Sequence, residues 1–157
     1  MEHPMTAITE GSAAPDFDLE TPDGRVKLID FAGKAVVLYF YPKDDTPGCT
    51  KEAQAFTDLA AEFAKAGATV IGVSKDSVTS HRKFAGKYDL NVILGSDPDG
   101  AVIERYGSWV EKSMYGRSYM GIDRSTFLIR DGQIKKLWRK VKVPNHAAEV
   151  LKAVQTA

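Results

Sequence analysis

From Ala35 to Tyr41 the chain reads Ala-Val-Val-Leu-Tyr-Phe-Tyr, and Pro42 ends the run. It is far too short to cross a bilayer. It is also apolar at every position rather than every second one, as expected of a strand covered on both faces. Such a strand needs a layer on each side of its sheet, so this segment already demands an α/β arrangement.

The segments around it alternate strand and helix. Phe17–Leu19 and Arg25–Leu28 flank Thr21-Pro22-Asp23-Gly24, a turn sequence, and predict a short hairpin. After Thr46-Pro47-Gly48, apolar residues recur at helical spacing: Cys49, Ala53, Phe56, Leu59, Ala60, Phe63 and Ala64. Gly67 ends that helix. Ala68–Val73 is a second buried strand. Asp76 or Ser77 caps a helix through Tyr88, Asn91–Leu94 is a third strand, and Ala101–Tyr106 a short helix. Ser125–Arg130 and Gln133–Trp138 pair across an Asp-Gly turn, and an amphipathic helix follows Pro144-Asn145. Right-handed crossovers between these strands give a mostly parallel centre with antiparallel flanks. The expected fold is a three-layer α/β/α sandwich, thioredoxin-like, with a mixed central sheet and an N-terminal hairpin.

Among 157 residues, Lys plus Arg and Asp plus Glu are 21 each, so the formal net charge is zero. A balanced chain has no global field to draw it to nucleic acid or to an anionic membrane. The start shows no basic region followed by an apolar stretch, so a cytoplasmic location is expected. Residues 1–10 read as a mobile N-terminal arm, with Met5 as an alternative start, and residues 11–157 as one domain. The single Cys excludes an intrachain disulfide, a Cys-rich zinc site and an iron–sulfur cluster.

That cysteine, Cys49, stands where a buried strand gives way to a helix. First-turn N–H groups and the helix dipole there favour the reactive thiolate. A free cysteine at a helix start is also commonly an inert small core residue. Thr46-Pro47-Gly48-Cys49 has the spacing of a dithiol motif with Thr in the first position, so dithiol exchange is excluded. The Thr46 hydroxyl could donate to the thiolate, accept from a peroxide, or only cap the helix.

The segment Tyr39-Phe40-Tyr41-Pro42-Lys43-Asp44-Asp45-Thr46-Pro47-Gly48-Cys49-Thr50 resembles the active-site segment of the peroxiredoxins, with their Pro-x-x-x-Thr-x-x-Cys pattern at Pro42, Thr46 and Cys49. The Tyr-Pro-Lys and Thr-Pro-Gly-Cys-Thr details are similar to the bacterioferritin-comigratory, or Q-type, subgroup. Trp109–Gly116 and Gly121–Ile129 match as well, so the resemblance runs from about Gly11 to the C-terminus. It implies a peroxidatic Cys49, an active-site hydroxyl on Thr46, a ring-shielding proline at Pro42 and the family's arginine at Arg124. An arginine there can steady the thiolate and the charge building on the leaving peroxide oxygen. The implied chemistry reduces hydrogen peroxide and organic hydroperoxides through a Cys49 sulfenic acid, with no metal, haem or flavin.

The chain departs from the subgroup at the resolving cysteine. The two positions that carry it in relatives hold Gln54 and Ala85. The expectation is therefore an external thiol reductant, such as thioredoxin, glutaredoxin or glutathione, and a monomer or weak homodimer. The alternative is a redox-sensing module of the same fold acting through a mixed disulfide at Cys49. A Cys–His hydrolase would need a histidine near the thiol. His3 falls in the arm, His81 on an expected helix surface and His146 in the last helix. Asp97-x-Asp99-Gly100 with Glu104 reads as a turn entering a helix rather than a calcium loop. The cluster Lys135, Lys136, Arg139, Lys140 and Lys142 reads as a solvated hairpin end. Trp109, Tyr115, Tyr119 and Trp138 read as core or rim packing.

Overall fold

The structure is a computed structural model and describes residues 8–157. Among these residues nine strands and five α-helices follow in order: β1 (Asp18–Thr21), β2 (Gly24–Lys27), β3 (Ala35–Phe40), α1 (Pro47–Asp58), α2 (Ala60–Lys65), β4 (Ala68–Ser74), α3 (Val78–Tyr88), β5 (Ile93–Ser96), α4 (Ala101–Arg105), β6 (Trp109–Met114), β7 (Arg117–Ile122), β8 (Ser125–Arg130), β9 (Gln133–Trp138) and α5 (His146–Thr156). Seven of the strands make one sheet, ordered β2-β1-β5-β4-β3-β8-β9, and β6 with β7 forms a separate ribbon. β5, β4 and β3 are parallel, and the hairpins β1–β2 and β8–β9 flank them antiparallel.

The apolar run is β3, and every residue of it is buried. Its side chains alternate between two cores. Val37, Tyr39 and Tyr41 join Cys49, Phe56, Phe63, Phe84 and Val150 on one face. Val36, Leu38 and Phe40 join Phe17, Ile71, Ile103, Tyr106 and Phe127 on the other. The expected three-layer sandwich is what forms, because a central strand with two apolar faces is stable only between two packed layers. Of the expected arm, residues 1–7 lie outside the described residues, and Ile8 packs against the second core.

Two local expectations need correction, and one element has no counterpart in the sequence reading. The helix expected from Cys49 to Lys65 is interrupted at Leu59, whose N–H bonds to the Phe56 carbonyl three residues back. That tighter bond shifts the helix path at the junction. The ribbon β6–β7 was not expected at all. Its residues lie mostly outside the cores, with Met114, Tyr115, Tyr119 and Met120 exposed, so no buried alternation marks it in the sequence. Finally, His81 is not on a helix surface but fully buried.

Candidate active site

The end of β3 delivers the chain to a loop over residues 42–46. α1 then starts at Pro47, a residue whose fixed φ and missing N–H suit a first helical position. Cys49 follows within the first turn, with its residue only 2% exposed. The two-residue link between β7 and β8, Asp123 and Arg124, brings that arginine over the same turn. The Arg124 backbone is pinned by its carbonyl accepting from Val141 N–H at 2.9 Å. Arg124 Nη2 donates to Cys49 Sγ at 3.3 Å and Nη1 to Glu52 Oε1 at 2.6 Å. Residues 75 apart in sequence thus meet at the sulfur.

Glu52 is a site residue that the sequence reading missed. It stands one turn after Cys49 on the inward stripe of α1, an acidic residue among apolar ones, and that placement was a readable signal. Its second oxygen, Oε2, has no hydrogen-bond partner among the described residues. Burial pushes its carboxyl up to about 7, against the pull of Arg124 in the other direction. For Arg124 itself, burial acts downward, but the charges of Glu52 and Cys49 outweigh it and hold the guanidinium above its ordinary pKa. The result is a cation fixed between two sulfur- and oxygen-based partners.

Gly48 makes room for this contact. A Cβ at that position would lie 3.3 Å from Arg124 Nη2. Thr46 is the helix N-cap by backbone position, but its side chain caps nothing. Its hydroxyl instead donates to the Lys43 carbonyl at 2.8 Å. The hydroxyl hydrogen is committed there and not to the sulfur, and the oxygen lone pairs stay available to an incoming donor. Pro42 is exposed at the end of β3. Gln54 is exposed on α1, and Ala85 half-buried on α3.

The two histidines among the described residues are occupied elsewhere. His146 Nε2 pairs with Thr126 Oγ1 at 2.8 Å, and burial lowers its pKa to about 4, so it is neutral near pH 7. His81 pairs with Asp44 at 2.7 Å. His3 lies outside the described residues. Asp97 and Asp99 accept backbone N–H groups of Ile103 and Ala101, at 2.9 and 3.1 Å, as turn residues entering α4 do. Arg139 donates to the carbonyls of Gly107 and Tyr106, and Lys136 lies over the Trp138 ring. A cavity of about 510 Å³ between the β1–β2 hairpin and α2 is lined by Phe63, Ala85 and Val92 and does not include the sulfur.

The pattern of the AhpC/TSA family matches residues 11–137. The chain belongs to that family. Within it, the chain is 48% identical over 150 residues to the peroxiredoxin Bcp of Bacillus subtilis, covering 94% of this chain and 96% of the relative. It is 44% identical over 149 residues to that of Escherichia coli, covering 94% and 96%. Among solved structures, peroxiredoxin Q of Xanthomonas campestris superposes with a TM-score of 0.88 at 46% identity, covering 96% of this chain and 97% of that one. The chain is thus a peroxiredoxin of the Bcp, or Q, group with a thioredoxin fold, and it carries only one cysteine. Its activity is peroxide reduction at the expense of thiols, through a peroxidatic cysteine.

Proposed function

We propose that Cys49, Thr46, Arg124 and Pro42 carry that reaction, with Cys49 as the nucleophile. The observation that carries the reading is the Arg124 guanidinium, which touches the sulfur at 3.3 Å while Glu52 holds its other nitrogen. A fixed cation at the sulfur stabilises negative charge there and on the peroxide oxygen that departs as the O–O bond breaks. The Cys49 thiolate attacks the terminal peroxide oxygen. A sulfur–oxygen bond forms, the O–O bond breaks, and two electrons pass from sulfur to the peroxide. The departing alkoxide or hydroxide takes up a proton and leaves as alcohol or water. The Thr46 oxygen accepts from the peroxide O–H and keeps the O–O axis in line. Pro42, exposed just after β3, is assigned the shielding of the thiolate from bulk water.

An external thiol then attacks the Cys49 sulfenic acid, releasing water and leaving a mixed disulfide. A second thiol frees Cys49 and carries away the disulfide. Thioredoxin, glutaredoxin and glutathione are the candidate reductants. A related Xanthomonas campestris protein is described for its alkyl peroxide reduction activity, and organic hydroperoxides are proposed as substrates here beside hydrogen peroxide. We assign the chain a cytoplasmic location and a monomeric or weakly dimeric state, with residues 11–157 as one domain. No helix among the described residues is long and apolar enough to cross a membrane.

The test is rapid-mix intact mass spectrometry of the reduced protein with one equivalent of hydrogen peroxide. Fast gain of one oxygen, reversed by glutathione or a thioredoxin system, is expected, and no gain in Cys49→Ser. An oxygen gained by Cys49→Ser, or none gained by the wild type, overturns the reading.

A further inference from the structure

The loop that sets Thr46 and the start of α1 is held from outside by α3, through two consecutive aspartates. Asp45, at φ +58°, accepts from Lys87 Nζ at 2.8 Å and Tyr88 Oη at 2.6 Å. Asp44 reaches deeper. Its backbone N–H donates to Asp76 Oδ2 at 2.9 Å, and its carboxylate accepts from the Tyr41 hydroxyl and, at 2.8 Å, from Ser80 Oγ. The innermost partner is His81, whose ring is sealed from solvent.

The hydrogen bonds of that ring fix one of its hydrogens and constrain the other. Nε2 lies 3.0 Å from the Gly95 carbonyl oxygen, an atom that can only accept, so Nε2 carries a hydrogen. Nδ1 lies 2.7 Å from Asp44 Oδ2, an oxygen already accepting from Ser80. Asp44 gathers donors on both oxygens beside the N-terminal turn of α3, where Ser77 caps the helix and the helix dipole favours an anion. This setting favours a carboxylate on Asp44 with the second ring hydrogen on Nδ1. A buried ion pair persists only when hydrogen bonds satisfy both ions, as they do here.

We propose that His81 is an imidazolium that positions the peroxide-binding turn: through Asp44 it anchors to α3 the loop that sets the Thr46 hydroxyl and the first turn of α1. His81 touches neither sulfur nor substrate in this role. It acts through Asp44, two residues before Thr46, and the proposal rests on Cys49 and Thr46 acting as assigned above. Displacing a positioning group by about 1 Å commonly slows a reaction by about a hundredfold.

Two measurements test it. In the wild-type protein at neutral pH, nitrogen-15 NMR of labelled histidine should show His81 with hydrogens on both ring nitrogens. A neutral ring overturns the charge assignment. In the second, Cys49 is reacted separately with hydrogen peroxide and with iodoacetamide. His81→Asn, which keeps a neutral donor near Nδ1, should slow the peroxide reaction about tenfold or more without slowing alkylation. Ser80→Ala removes one donor to Asp44 from a half-buried surface position and should slow the peroxide reaction by a smaller factor, about threefold, with the fold kept. Equal slowing of both reagents, or wild-type peroxide rates in Ser80→Ala and His81→Asn, overturns the positioning role. Cys49→Ser serves as the control. If it still consumes peroxide, the assignment of Cys49 has failed; if it is inert while the α3 variants react normally, only the anchor has failed.

Discussion

At the residue scale, the site is a competition for one guanidinium. Arg124 serves Cys49 and Glu52 together, and its removal should slow sulfenic acid formation about a hundredfold, as loss of one preorganised donor to a reacting centre typically does. Stopped-flow peroxide kinetics of Arg124→Ala checks this. Gly48→Ala separates geometry from stability. Its methyl would meet Nη2 at 3.3 Å, so the peroxide rate should fall about tenfold. Alanine in the helical turn should leave stability unchanged or raise it by up to about 1 kcal/mol, readable by denaturant unfolding. Glu52 gives a pH signature. Burial raises its carboxyl from 4.5 to about 7, so the folded state holds a proton that the unfolded chain has already lost in that window. Its contribution is therefore fully present below pH 4.5 and is lost as pH rises to about 7, a loss of about 3 kcal/mol. The stability difference between the wild type and Glu52→Gln, measured from pH 4 to 8, should change by about that amount and level off above 7.

At the element scale, most helices and strands were legible because their periodicity is local. β3, the stripe of α1 and the Asp-Gly hairpin were all visible before any contact was known. β6–β7 was not, since an exposed ribbon has no buried face to impose alternation. His81 was misread for the converse reason: a polar residue on a helix is expected outside, and only the packing of α3 over Asp44 and Gly95 puts it inside. α5 supplies a prediction of its own. Its first residue, His146, is neutral, buried against Phe56 and Trp138, and its pKa is pushed down to about 4 by burial. A histidine depressed in this way contributes stability above the unfolded value of 6.5 that is lost as pH falls toward about 4. Amide exchange in α5 should accelerate over that interval, and His146→Gln should remove the acceleration.

At the scale of the whole molecule, one cysteine sets the fate of the protein under peroxide. With no second thiol in the chain, the sulfenic acid waits for an outside partner. Repeated additions of excess peroxide without thiol should add a second oxygen to Cys49 by mass and inactivate the enzyme irreversibly, whereas saturating reductant should prevent both. The chemistry-bearing types were legible in sequence because they sit on one short segment: Pro47 and Gly48 shape the turn, and Cys49 falls in the first turn of α1 whatever the rest of the chain does. The sequence by itself also determined the layered architecture, since a strand apolar at every position cannot be left with an open face. Tertiary structure alone decided which distant groups meet the sulfur. Strand order places β8 beside β3, and that pairing carries Arg124 across 75 residues to Cys49 and to the buried Glu52, while α3, packed against β5, closes separately over Asp44. Such meetings depend on through-space pairing and burial, which no local pattern of residues encodes.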